Sequence, residues 1–411
     1  MPPPRFVQFG ERCEVASGFS DMSRQQIEAD TLPASFAQWV ADQLDAHRDK
    51  RGPIQLFGSS VPEPVDLLQQ AVMEIFAGQV SPRYASTFSS GNPYVVARLA
   101  HDCGVSEDHV LCTTGATGAL SAIYRSTLGP GERVLIENPG FDMFRSIAGS
   151  IGNEVDVFER RGPTFSIDPE ELEYRLSPRT RLIVLSNLHN PSGMAVDEDI
   201  LREIDRIAAN RGITLVVDEV YAPYAGGKVR SVAQLGLSRH TIAVSSLTKI
   251  FGLSTLRCGW LVADPETLRP IREWNREVEF GVSKLAHAVA SCVLDNPVPF
   301  EQRTFGLVAK TRPVVSSRFE RWKDEGLIEG ALPDFGCIAF WKLPGIEDTA
   351  AFSQWLASEC GVAVVPGEYF GAPGFIRIGF GIDVSELERG LDLLESGIRD
   401  YRRRLARGDA A

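Results

Sequence analysis

The sequence predicts an α/β protein: a large domain built on a mostly parallel sheet, followed by a smaller α+β domain. Three observations predict it. Short apolar runs of strand length recur at 110–112, 134–136, 182–185, 213–217, 242–244 and 260–262, with helix-length amphipathic stretches between them. The runs are apolar throughout rather than alternating, which is the pattern of strands covered by helices on both faces. From Gly336 onward the text alternates strands and helices again.

Taken in chain order, the first 30 residues lack periodicity and read as an arm, with a short helix over 33–48. The turn-rich text GPIQLFGSSVPEP at 52–64 marks entry into the main domain. A helix-rich stretch runs from the last apolar strand to about residue 325. The expected division is 1–62 for the arm and part of the small domain, 63–300 for the large domain and 301–411 for the C-terminal small domain. Such a chain, 411 residues with 44% apolar side chains, can bury a large core. Its net charge of -12 argues against nucleic-acid binding. No apolar run approaches the roughly 18 residues of a membrane span. The opening MPPPRFVQFGERCEV has no apolar signal core. The 7 cysteines are scattered, without CxxC spacing or a Cys/His cluster. They read as reduced thiols of a cytoplasmic protein, without zinc or another metal.

Ligands of open α/β sheets bind beyond the carboxyl ends of the strands. The segments following the apolar runs are TTGATG (113–118), ENPGFD (137–142), SNLHNPSG (186–193), DEVY (218–221) and SSLTK (245–249). Any one of them could be turn chemistry. Together they bring glycines, hydroxyls, carboxylates, amides and one lysine to a single sheet edge. The chain has 35 Arg but only 7 Lys, so a reactive amine has few candidates. Of these only Lys249 stands at such a strand end, where an amine can form a Schiff base with an aldehyde cofactor. Gly115, Ala116 and Thr117 precede a helical stretch over 119–127. Backbone N–H groups at a helix start form an anion site, and Thr117 adds a hydroxyl.

The text SSLTKIFGLSTLRCGW (245–260) resembles the Schiff-base lysine motif of class I/II pyridoxal-phosphate aminotransferases, of the aspartate aminotransferase fold or fold type I. Ser246, Lys249, Arg257 and Gly259 match; Thr248 stands where a smaller residue is usual. The resemblance covers roughly residues 50–400 and implies a seven-stranded type of large sheet with pyridoxal 5'-phosphate bound through Lys249. It places the cofactor phosphate on Gly115, Ala116, Thr117, Ser246 and Arg257. Asp218 is implied as the partner of the ring nitrogen, where a carboxylate keeps the proton on. Tyr221 and Asn190 are implied at the phenolic oxygen, and Phe141 as the ring stacked on the cofactor. NLHNPSG departs from the family's loop at Leu188, and His189 reads as support for that loop rather than as a base. Arg377, inside an apolar strand, matches the arginine that pairs with the substrate carboxylate. Gly58 and Ser59 are candidates for the substrate side.

The resemblance further implies a homodimer with shared active sites, in which Tyr84, or in a competing alignment Phe88, reaches the partner's phosphate. The implied activity is transfer of an amino group between an amino acid and a 2-keto acid through a Lys249 aldimine. A lyase, a cyclising enzyme or a racemase of the same fold would use the same residues. A non-enzymatic pyridoxal-phosphate-binding regulator is the more distant alternative.

Overall fold

All six apolar runs are strands of one sheet. In chain order the strands are β1 (Ile54–Gln55), β2 (Val110–Thr114), β3 (Arg133–Asn138), β4 (Glu154–Arg161), β5 (Ser166–Ile167), β6 (Thr180–Ser186), β7 (Thr214–Asp218), β8 (Thr241–Ser246), β9 (Cys258–Val262), β10 (Ile338–Lys342), β11 (Val362–Ala363), β12 (Val365–Pro366) and β13 (Phe375–Gly379). The large sheet has the order β2-β9-β8-β7-β6-β3-β4-β5. Strands β4, β3, β6, β7 and β8 run parallel, and β9 runs antiparallel to both β8 and β2. The two-residue β5 pairs antiparallel with the end of β4 and makes the sheet eight-stranded. The computed structural model describes residues 35–47 and 52–408, within a unit spanning Pro33–Ala411. The arm expected over the first 30 residues lies outside the described residues.

Successive strand residues point to opposite faces, and here both faces are buried, which is why the runs read as continuously apolar. The helices are α1 (Phe36–His47), α2 (Val65–Phe76), α3 (Pro93–Cys103), α4 (Gly115–Thr127), α5 (Asp142–Ser150), α6 (Pro169–Arg175), α7 (Glu198–Arg211), α8 (Pro265–Val278), α9 (Lys284–Asp295), α10 (Val298–Asp324), α11 (Thr349–Trp355) and α12 (Val384–Arg407). Val134, Ile136, Val184, Val216 and Val244 share a core with residues of α4, α5 and α8. Their sequence neighbours Leu135, Ile183, Leu185, Leu215 and Val217 belong to the other core, with residues of α3, α7 and α9. Helix boundaries follow local chemistry: at α3 the Asn92 side chain accepts from Tyr94 N ahead of Pro93, and Gly104 closes the helix in the left-handed conformation.

A second, antiparallel sheet has the order β10-β13-β12. The segment 52–64 joins this C-terminal part: β1 pairs with β11, and Gly379 N donates to Leu56 O at 2.6 Å. A Cβ on Gly379 would lie 1.5 Å from Gly58 O, so only glycine fits. Among the described residues no helix is long and apolar enough to cross a membrane.

Candidate active site

Lys249 lies three residues beyond β8. Its carbonyl oxygen accepts from Tyr224 Oη at 3.1 Å, Ser60 Oγ at 3.0 Å and Gly252 N at 3.2 Å. The backbone is thereby fixed while the side chain is left for chemistry. Nζ donates to Ser59 Oγ at 2.9 Å and stands 5.2 Å from the centre of the Tyr221 ring. Both partners are uncharged, so the amine is not tied up in an ion pair with a carboxylate of the described residues.

Asp218 closes β7 and is 4% exposed. Its Oδ1 accepts from Val220 N at 3.1 Å. Burial pushes its carboxyl up to about 6, although Val220 N and the Lys249 charge pull the other way. A carboxylate buried without an ion-pair partner is costly and is set to receive a cation. Tyr221, three residues on, is 1% exposed, and its Oη has no hydrogen-bond partner.

Arg377 sits in the middle of β13 and is 1% exposed. Nη1 donates to Asn190 Oδ1 at 3.0 Å, Nη2 donates to Phe57 O at 3.1 Å, and Nε has no partner. The rings of Phe370 and Phe36 lie 5.0 and 5.5 Å from the guanidinium carbon. Burial lowers its pKa. Among the described residues it is a buried cation without a carboxylate, complementary in charge to Asp218. The loop that carries Asn190 is held by His189, whose Nε2 lies 2.9 Å from Pro139 O and Nδ1 2.6 Å from Ser192 Oγ. Burial takes the pKa of His189 well below its ordinary value, so the ring is neutral.

An anion cup forms at the start of α4, which begins at Gly115, four residues earlier than the sequence pattern indicates. Arg257, in the left-handed region at φ 47°, donates from Nη2 to Thr117 Oγ1 at 3.1 Å. A Cβ on Gly115 would come within 2.7 Å of Arg257 Nη2, and one on Gly259 within 2.3 Å of Gly115 C. Both glycines are therefore required for the approach of arginine and helix start. Buried Ser246 accepts from Thr248 N at 3.3 Å, which leaves its hydroxyl hydrogen to donate.

Phe141 caps the start of α5 and touches Phe36, at 6.3 Å between ring centres. Phe36 on α1 therefore bridges Phe141 and Arg377. Gly58 packs against Gly379, and a side chain at Gly58 would meet open space. Tyr84 is not brought into this group: its ring contacts are with Phe76 at 5.5 Å and the Lys284 amine at 4.1 Å. Sequence reasoning missed Phe36, Ser60 and Tyr224. Tyr224 repeats Tyr221 three residues on in VYAPY, a spacing that was available to find it.

An unpartnered phenol, a buried carboxylate, a free amine and a cationic cup at a helix start are together the complement of pyridoxal phosphate. The fold and site thus define a pyridoxal-phosphate enzyme of fold type I. The family model described as "Aminotransferase class I and II" matches residues 70–394, and the chain belongs to this family. It is 24% identical over 352 residues to an aspartate aminotransferase of Geobacillus stearothermophilus, covering 80% of this chain and 86% of that one. It is 26% identical over 324 residues to capreomycidine synthase of Streptomyces vinaceus, covering 78% and 82%. A double mutant of the aspartate aminotransferase of Thermus thermophilus shares the fold, with TM-score 0.78 and 21% identity over 90% of this chain and 98% of that one. The enzyme is a pyridoxal-phosphate-dependent aminotransferase, acting on an amino acid and a keto acid.

Proposed function

We propose that the substrate is an α-amino acid held by its carboxylate on Arg377, with Lys249 as the proton carrier at its Cα. The observation that carries this reading is Arg377: a buried cation with no carboxylate partner among the described residues, bonded to Asn190 at the edge where Lys249 emerges. Bound pyridoxal phosphate supplies an aldehyde carbon and a ring that accepts the electron pair released at Cα. The residues of this chain do the rest. Gly115, Ala116, Thr117, Ser246 and Arg257 hold the phosphate. Asp218 holds the proton on the ring nitrogen. Tyr221 and Asn190 donate to the phenolic oxygen, and Phe141 covers the ring. Three donor hydrogens of Arg377 remain for a carboxylate after its bonds to Asn190 and Phe57. Gly58 and Ser59 line the substrate side, and Ser59 Oγ accepts from the Lys249 amine.

Amino donors should be consumed only when a 2-keto acid is present. The amine that lacks the donor's carboxylate should be turned over about 100-fold less well, the loss of a charged pair at a buried site. Ammonia release or a cyclised product without a keto acid would replace transfer with elimination or cyclisation.

We also propose a homodimer with shared sites. Phe88 and Phe280 are 66% and 73% exposed and pack ring to ring at 5.4 Å. Leu285 is also exposed, next to the Lys284 that covers Tyr84. An apolar patch of this kind marks an association face. Tyr84, rather than Phe88, is assigned to the partner's phosphate because only a phenol can donate to it. Phe280→Arg is expected to convert the dimer to monomers in sedimentation; an unchanged dimer would place the interface elsewhere. The separate sheets, β2 to β9 in one and β10, β12 and β13 in the other, support a large domain within 63–300 and a small domain within 301–411, to which β1 adds part of 1–62. Six described cysteines, all free, support a cytoplasmic location.

A further inference from the structure

The strand ends around Asn190 carry a pair of buried charges that the roles above do not use. Glu137 of β3 and Arg160 of β4 are 1% and 4% exposed. Arg160 Nε donates to Glu137 Oε2 at 2.7 Å, and Nη2 lies 2.6 Å from the same oxygen. Arg160 Nη2 also donates to Ser186 O at 2.8 Å. The other Glu137 oxygen, Oε1, accepts from Ser186 N at 3.0 Å and from Ser186 Oγ at 2.5 Å. Ser186 Oγ in turn accepts from Asn190 N at 3.0 Å, and Asn190 Oδ1 accepts from Arg377 Nη1 at 3.0 Å. An unbroken line of hydrogen bonds thus runs from Arg160 through Glu137, Ser186 and Asn190 to Arg377.

Stability alone does not account for this pair. A buried ion pair is generally no better than apolar side chains of similar volume, because both charges lose their hydration. The positions around it, Leu135, Ile136, Val184 and Leu185, are filled by apolar residues. What the pair does have is direction. Glu137 lies on the strand between β4 and β6, and its two oxygens divide between those neighbours: Oε2 takes Arg160 and Oε1 takes both donors of Ser186. With its own hydrogen given to Glu137, Ser186 Oγ presents only lone pairs to the Asn190 amide. The carboxylate therefore fixes which way the serine points, and the serine fixes the backbone of Asn190.

We propose that Glu137, Arg160 and Ser186 are positioning residues that hold Asn190 in register with both Arg377 and the cofactor's phenolic oxygen. The proposal rests on the assignment of Asn190 given above. Asn190 is the one residue of the line with two duties: its oxygen orients Arg377, and its amide nitrogen is assigned to the phenolic oxygen. Letting Asn190 drift should disturb carboxylate binding and cofactor electronics together. A defect confined to folding would move neither selectively.

The test compares Ser186→Ala, Asn190→Ala and the double variant, each loaded with cofactor, by absorption of the bound cofactor against pH and by KM for the amino donor. A phenolic oxygen that has lost a donor becomes more basic and holds the neighbouring proton more tightly, so the absorption midpoint should rise. Asn190→Ala and Ser186→Ala should each raise it by about half a pH unit. The double variant should go no further than Asn190→Ala, because both changes act through one group. KM should rise about threefold to tenfold in Ser186→Ala with a smaller change in kcat. Arg160→Met with Glu137→Leu removes both charges at once, avoids an unpaired buried ion, and should reproduce the Ser186→Ala values. A shift in Asn190→Ala with none in Ser186→Ala, or full additivity in the double variant, overturns the proposal alone. No shift in Asn190→Ala overturns the assignment of Asn190 as well.

Discussion

Lys249→Ala is expected to lower kcat by about 10,000-fold or more while leaving the fold in place. The loss is large because the proposed function gives one amine two duties, as the group linked to the cofactor and as the carrier of the Cα proton. Proton transfer by a positioned group alone contributes up to about 10,000-fold. The fold survives because the packing of this turn does not run through the side chain. Tyr224 Oη and Ser60 Oγ bond the Lys249 carbonyl, which alanine retains, and Nζ gives up only its bond to Ser59. Three other described lysines are engaged elsewhere: Lys284 lies over Tyr84, Lys228 over Phe335 and Lys323 over Phe319. Single-turnover assays alongside thermal melts check both halves. Activity within tenfold of the parent would remove the lysine from the mechanism.

Asp218→Asn carries the second-largest effect. An amide cannot hold a proton on the ring nitrogen by charge. Removing an opposite charge at contact distance costs about one to three pKa units, so the protonated fraction and kcat should fall about 10- to 1,000-fold. The cofactor-free protein offers an independent readout. Burial raises the Asp218 carboxyl from 3.8 to about 6 in the folded protein. Its contribution to stability is therefore complete below about pH 4 and is lost as pH rises through 6. Glu219 acts in the same sense, raised from 4.5 to about 7 by burial against the hydrogen bonds it accepts from Ser231 and Val232. Melts of the cofactor-free protein should fall between pH 4 and 7. Cofactor should restore stability more at pH 8 than at pH 5, because the ring nitrogen then supplies the missing cation. Asp218→Asn should lose the Asp218 part of this pH dependence and keep the Glu219 part. A cofactor-induced shift independent of pH would contradict the pairing.

The parts of the molecule that were legible in the sequence are those in which local chemistry and tertiary role coincide. Strands β3, β6, β7 and β8 are buried on both faces, so burial alone makes their text apolar. β4 was not legible: EVDVFERR lies near the sheet edge with most of its side chains partly exposed, and it reads as polar text. Arg160 is hidden in the same way. An arginine within FIRIG stands out, whereas one within FERR reads as part of a surface, although both are buried. Lys249, Asp218 and Arg257 could be found because each stands beside a strand in distinctive text: three residues beyond β8, at the end of β7 and immediately before β9. Ser60 and Phe36 could not be placed, because their roles come from long-range contacts. Ser60 reaches a carbonyl 189 residues away, and Phe36 meets Arg377 only once α1 lies against β13. Tyr84 stands apart for another reason: within the chain its ring meets Phe76 and Lys284, and its proposed role lies across a proposed subunit interface.

Reductive trapping of the loaded enzyme tests the central claim most directly. Borohydride reduction followed by peptide mass analysis should place the entire cofactor adduct on the peptide containing Lys249, with none on peptides containing Lys228, Lys284 or Lys342. An adduct on any other lysine, or no adduct on a protein that binds the cofactor and turns over, would contradict the site described here.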